Sequence, residues 1–113
     1  MRIGEEKHGP ALVVRVMDKR IDASSAASFK ERMANLIDAG QRHLILNLSD
    51  VEFIDSTGLG AIVSLLKTIG EDGVLLIAHP QETVQSFFRL TRMNLVFQVF
   101  PSEEEALRSL EKE

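Results

Sequence analysis

The sequence predicts an α/β fold, a mixed sheet of four to five strands with about four helices, in the order β-β-α-β-α-β-α-β-α. Three observations carry this expectation. Residues 43–48 and 74–78 are almost continuously apolar, as strands buried on both faces are. Around them, apolar residues recur at helical spacing. The two patterns alternate, which implies crossover connections onto one sheet.

The elements follow in order. Leu12, Val13, Val14, Arg15 and Val16 form a β-rich run, and a short strand near Ile3 can pair with it across the Gly9-Pro10 turn signal. Asp22, Ser24 and Ser25 can accept from the orphan N–H groups of a helix start. Ala26, Phe29, Met33, Leu36 and Ile37 then repeat at helical spacing, and Gly40 closes the helix. After the strand at 43–48, the stripe Leu59, Ile62, Val63, Leu66 and Ile69 marks a second helix ending before Gly70 and Gly73. The strand at 74–78 stops at Pro80. Val84, Phe87, Phe88 and Leu90 mark a third helix, residues 96–100 a last short strand. Ser102 with Glu105 three residues on is a capping box, and Ala106, Leu107 and Leu110 are the apolar face behind it.

At 113 residues, the chain is expected to form one domain, 1–113, with a single core. Without cysteine it can carry neither disulfides nor thiol chemistry. Its first ten residues lack the apolar segment of a secretory signal, and no apolar run approaches the ~20 residues of a membrane span. A cytoplasmic protein without membrane attachment is expected. A net charge of −4, with neither Trp nor Tyr, argues against direct nucleic-acid binding.

Asp55-Ser56-Thr57-Gly58-Leu59-Gly60 stands out at the strand-to-helix junction. Ser56 or Thr57 is a good N-cap, which places Gly58 and Gly60 in the first helical turn. Two glycines there cost about 1–2 kcal/mol relative to alanine. Bare backbone lets another molecule approach closely, and a helix N-terminus favours an anion such as phosphate. Equally, the segment can be a strong cap whose glycines allow tight packing on the sheet.

Phe53-Ile54-Asp55-Ser56-Thr57-Gly58-Leu59-Gly60 resembles the signature of the STAS domain, in particular the bacterial anti-sigma-factor antagonists. The resemblance extends to Arg20-Ile21-Asp22-Ala23, to Leu46-Asn47-Leu48-Ser49-Asp50-Val51, and to the C-terminal segment from Val96 to Leu107. It implies that Ser56 is phosphorylated by a GHKL-type serine kinase that is also an anti-sigma factor. The unphosphorylated form would bind that partner and free its sigma factor, and a metal-dependent serine phosphatase would restore it. It further implies a partner-binding surface of Asp22, Asp55, Ser56, Thr57, Gly58, Leu59 and Gly60, no cofactor and no catalytic machinery. Asp55 is either an orienting group for the hydroxyl or a structural turn residue; Asp22 either caps the first helix or contacts the partner; Thr57 is either a cap or a second hydroxyl acceptor, the cap being the favoured reading. Lys19 and Arg92 stand where many relatives have glycine, and Asn94 is expected to take the left-handed turn instead of Arg92. A monomer or weak homodimer is expected.

The alternative is a constitutive STAS accessory subunit of a membrane transport ATPase complex. A small enzyme finds less support. His8, His43 and His79 are scattered without metal-ligand spacing, and neither a P-loop nor a G-x-S-x-G nucleophile motif occurs.

Overall fold

The computed structural model describes residues 1–111. A five-stranded sheet is built from β1 (Ile3–His8), β2 (Ala11–Val16), β4 (His43–Asn47), β6 (Val74–Ala78) and β7 (Gln98–Phe100), in the spatial order β1-β2-β4-β6-β7. β1 runs antiparallel to β2, and every other pair is parallel. Two further strands, β3 (Arg20–Ile21) and β5 (Phe53–Ile54), pair with each other in parallel outside this sheet. The helices are α1 (Ala26–Asp38), α2 (Ser56–Ile69), α3 (Glu82–Leu90) and α4 (Glu103–Glu111).

Alternation along the strands divides the core. Leu12, Val14, Leu44, Leu46, Leu75 and Ile77 face α1, α2 and α3, where they meet Phe29, Met33, Ile62, Leu65 and Phe88. Val13, Ile45, Leu76 and Ala78 face α4 through Ala106, Leu107 and Leu110. Both faces of β4 and β6 are therefore covered, which is why these strands read as unbroken apolar runs. Burying a ring such as Phe29 contributes about 1.5–3 kcal/mol. The β1–β2 hairpin turns at Gly9, whose φ of 59° suits the first position of a two-residue turn. At the start of α4, Ser102 Oγ accepts the Glu105 N–H at 3.1 Å, while the Glu103 carboxylate is taken up by the buried Asn47 amide.

Three local expectations are corrected. The strand expected over 96–100 begins only at Gln98, opposite Leu76. Met93–Leu95 form a 3-10 turn, and the Val96 and Phe97 N–H groups bond back to the Met93 carbonyl rather than across to β6. Phe97 is spent instead on an edge-to-face contact with Phe88, 5.4 Å between ring centres. The left-handed residue after α3 is Arg92 itself, with φ 62°, and not Asn94. Finally, the β3–β5 pair is additional to the expected strands, because two-residue strands carry no periodic signal.

Candidate functional site

The chain leaves the carboxyl end of β4 and passes through β5 into α2, so Ser56 sits at the sheet end where crossover loops of α/β folds form sites. Pairing Arg20 with Phe53 and Ile21 with Ile54 brings the loop before α1 alongside the start of α2. Asp55 joins the two. Its N–H donates to the Ile21 carbonyl at 3.3 Å. Its Oδ1 accepts the Gly58 N–H at 2.9 Å, and its Oδ2 accepts the Ala23 N–H at 3.1 Å.

Asp55 is thus the N-cap of α2, in place of Ser56 or Thr57. The cap lies one or two residues earlier than expected because Asp55 has the extended backbone that a cap requires (φ −99°, ψ −176°), whereas Ser56 is already helical. Ser56 and Thr57 are consequently freed from capping. Both are exposed, and among the described residues neither hydroxyl has a hydrogen-bond partner. Gly58 and Leu59 donate to Asp55 Oδ1 and Asp55 O, and the N–H groups of Ser56 and Thr57 have no partner among the described residues.

The two glycines of this turn have different reasons. Gly58 is buried, and a β-carbon there would lie 2.2 Å from the Ile21 carbonyl oxygen. Its bare backbone therefore serves the docking of α2 on β3, and is not open surface. Gly60 is exposed, and a β-carbon there would meet nothing within 4 Å. Leu59 belongs to the core edge at 9% exposure.

Asp22 lies on the neighbouring loop. Its Oδ1 accepts the Ser24 N–H at 3.0 Å and the Ser24 hydroxyl at 2.6 Å, and its Oδ2 accepts Arg20 Nε at 3.0 Å. The Ser24 bonds, then Arg20, hold its carboxyl at about 2, well below the ordinary range. Its own carbonyl accepts from Ala26, and Ser25 Oγ accepts the Asp22 N–H. Regular helix starts at Ala26, where Ser25 makes no side-chain cap bond. The capping pattern lies one turn earlier, on Asp22.

Arg20 and Phe53, neither of them among the expected surface residues, also meet here. The Arg20 guanidinium lies 4.3 Å above the Phe53 ring, and Phe53 is 41% exposed. The signal was an aromatic residue directly before the buried Ile54, on the outward side of the strand. Of the two bulky cations noted in the sequence, Lys19 adjoins this surface, since its carbonyl accepts the Glu52 and Phe53 N–H groups. Arg92 is at the other end of α3 from Thr83, whose hydroxyl donates to the Glu52 carbonyl. A concavity of about 540 Å³ between Gly9, Pro10, Leu107 and Leu110 lies at the amino end of β2, at the opposite end of the sheet from Ser56.

Residues 3–106 match the family model of the STAS domain. The chain belongs to the STAS domain family. Among its relatives is the anti-sigma F factor antagonist of Paenibacillus polymyxa, 26% identical over 113 residues, with 98% of this chain and 96% of that protein covered. The crystal structure of a Thermotoga maritima protein, provisionally named an anti-sigma factor antagonist, superposes with a TM-score of 0.86 at 28% identity, covering 96% of this chain and 94% of that one. The Bacillus protein SpoIIAA in its phosphorylated form shares the fold, with a TM-score of 0.71 at 19% identity over 96% of this STAS chain and 99% of that one. Among the described residues, no helix is long and apolar enough to cross a membrane.

Proposed function

We propose that this STAS protein is an anti-sigma-factor antagonist switched by phosphorylation of Ser56. The unphosphorylated form binds a GHKL-type serine kinase that doubles as an anti-sigma factor, and that kinase then releases its sigma factor. Phosphorylation ends the complex, and a metal-dependent serine phosphatase reverses it. The protein is a substrate and a binding partner, not a catalyst, and works in the cytoplasm.

The observation that carries the reading is the exposed Ser56 hydroxyl, without a partner among the described residues, in the first turn of a helix capped by its neighbour Asp55. A phosphate there adds about −1.5 to −2 charge. The fold tolerates it, since an anion at a helix N-terminus gains about 0.3–1 kcal/mol. A surface that had closed over a neutral hydroxyl beside Asp55 does not: burying an unpaired charge costs an interface about 2–5 kcal/mol. The switch is therefore one of charge on a preformed surface, with little movement of the backbone. The relatives named as anti-sigma factor antagonists, and the existence of SpoIIAA in a phosphorylated form, support the reading.

The test is incubation of the wild-type protein and Ser56→Ala with GHKL-type kinases of the source organism and ATP, followed by mass spectrometry. One phosphate on Ser56, absent from Ser56→Ala, is expected. An unmodified wild-type chain, or phosphate elsewhere, contradicts the proposal.

A further inference from the structure

We infer that the kinase's footprint extends from Ser56 onto the stacked pair Arg20–Phe53, with Phe53 as its apolar anchor and Lys19 as its charge-selecting contact. This rests on the function proposed above and names the recognition chemistry of that same site.

Phe53 is 41% exposed, although Ile54 beside it is only 3% exposed and the β3–β5 pairing holds both backbones. Its ring is already fixed in place. The Arg20 guanidinium covers it at 4.3 Å, and Arg20 is itself held by Asp22 at 3.0 Å. Binding such a platform freezes little further motion, and arginine and aromatic side chains are the residue types that dominate interface energies.

The platform and Ser56 belong to the same β5–α2 junction. Phe53 precedes Ser56 by three residues, and Asp55 between them bonds the Ala23 N–H next to Asp22. Beside Arg20 runs an open groove of about 340 Å³ whose lining includes Arg2, Asp18, Lys19, Arg20, Asp22 and Ser24. Arg2 pairs with Asp18 and Arg20 with Asp22. Lys19 has no ion pair among the described residues, so the groove offers a partner one free cation. The complementary surface therefore presents an apolar side chain to Phe53 and a carboxylate to Lys19.

The experiment measures KM and kcat for Ser56 phosphorylation by the purified kinase that modifies the wild-type chain. Phe53→Ala and Lys19→Glu are each expected to raise KM about tenfold with kcat within about twofold, which is roughly 1.4 kcal/mol of binding. Phe53→Leu should recover most of the loss. Leu110→Ala, on α4 across the sheet, should leave KM unchanged. Thermal unfolding of each variant checks the fold, and exposed Lys19 decides the matter should Phe53→Ala prove unstable. KM values within twofold of wild type for both Phe53→Ala and Lys19→Glu would overturn the inference while leaving Ser56 phosphorylation intact. Failure of every GHKL-type kinase to modify the wild type would overturn the proposed function, and this inference with it.

Discussion

Asp55 and Ala23 are 32 residues apart in sequence, and the hydrogen bond from the Ala23 N–H to Asp55 Oδ2 adds a side-chain tie to the β3–β5 pairing that joins the two halves of the site. Since the other oxygen of the same carboxylate caps α2 through Gly58, one side chain sets the helix start and the loop beside it. Asp55 thus fixes the backbone of the turn that carries Ser56. Asp55→Ala should lower unfolding free energy by about 1–2 kcal/mol in a urea titration, the cost of a lost cap and a second orphaned N–H. Asp55→Asn keeps one acceptor and should cost less.

The two glycines of α2 predict opposite signs. Gly58→Ala drives a methyl group into the Ile21 carbonyl and should cost more than about 2 kcal/mol. Gly60→Ala enters open space in a helix and should stabilise by about 0.5–1 kcal/mol. The same Gly60→Ala protein should bind the kinase more weakly if the partner closes on bare backbone there. Calorimetry on both variants reads both effects.

The Asp22 carboxyl, held at about 2, ties stability of the 22–25 turn to pH. A depressed carboxyl contributes stability that is present above its ordinary pKa of about 4 and lost as pH falls through the folded value. The Ser24 amide proton should therefore keep its shift through pH 4 and titrate with a midpoint near 2 by NMR. A midpoint at the ordinary carboxyl value would contradict the bonding pattern around Asp22.

Arg92 holds a left-handed conformation that costs a residue with a β-carbon about 1–2 kcal/mol. Arg92→Gly should recover up to about 1 kcal/mol of this in chemical denaturation. Arg92→Val, which resists that region further, should lose stability.

The order of strands and helices was legible because burial writes a period into the chain. Leu44, Ile45 and Leu46 lie between two covered faces, and Phe29, Met33 and Ile37 repeat where α1 meets the sheet. The junction at Ser56 was legible as a helix start from the Asp-Ser-Thr-Gly run, and Ser56 is exposed in the first turn of α2. What was not legible depends on pairing between short, distant pieces. Nothing in Arg20-Ile21 announces Phe53-Ile54 as its partner, so the Asp55–Ala23 bond and the Arg20–Phe53 stack could not be read in advance. The cap falls on Asp55 rather than on Ser56 or Thr57, because Asp, Ser and Thr all cap well and only the backbone of Asp55 decides among them. The last strand was shortened by the same kind of local choice, at Arg92 and the turn after it.

The most direct test of the switch is the affinity of the purified kinase for the protein before and after phosphorylation of Ser56, measured by titration calorimetry. The account predicts at least about a hundredfold weaker binding of the phosphorylated form, roughly 2.8 kcal/mol. Its amide NMR shifts should change only in the first turn of α2 and in the 22–25 loop. Equal affinities for the two forms, or shift changes spread through the sheet, would contradict a charge switch on a preformed surface.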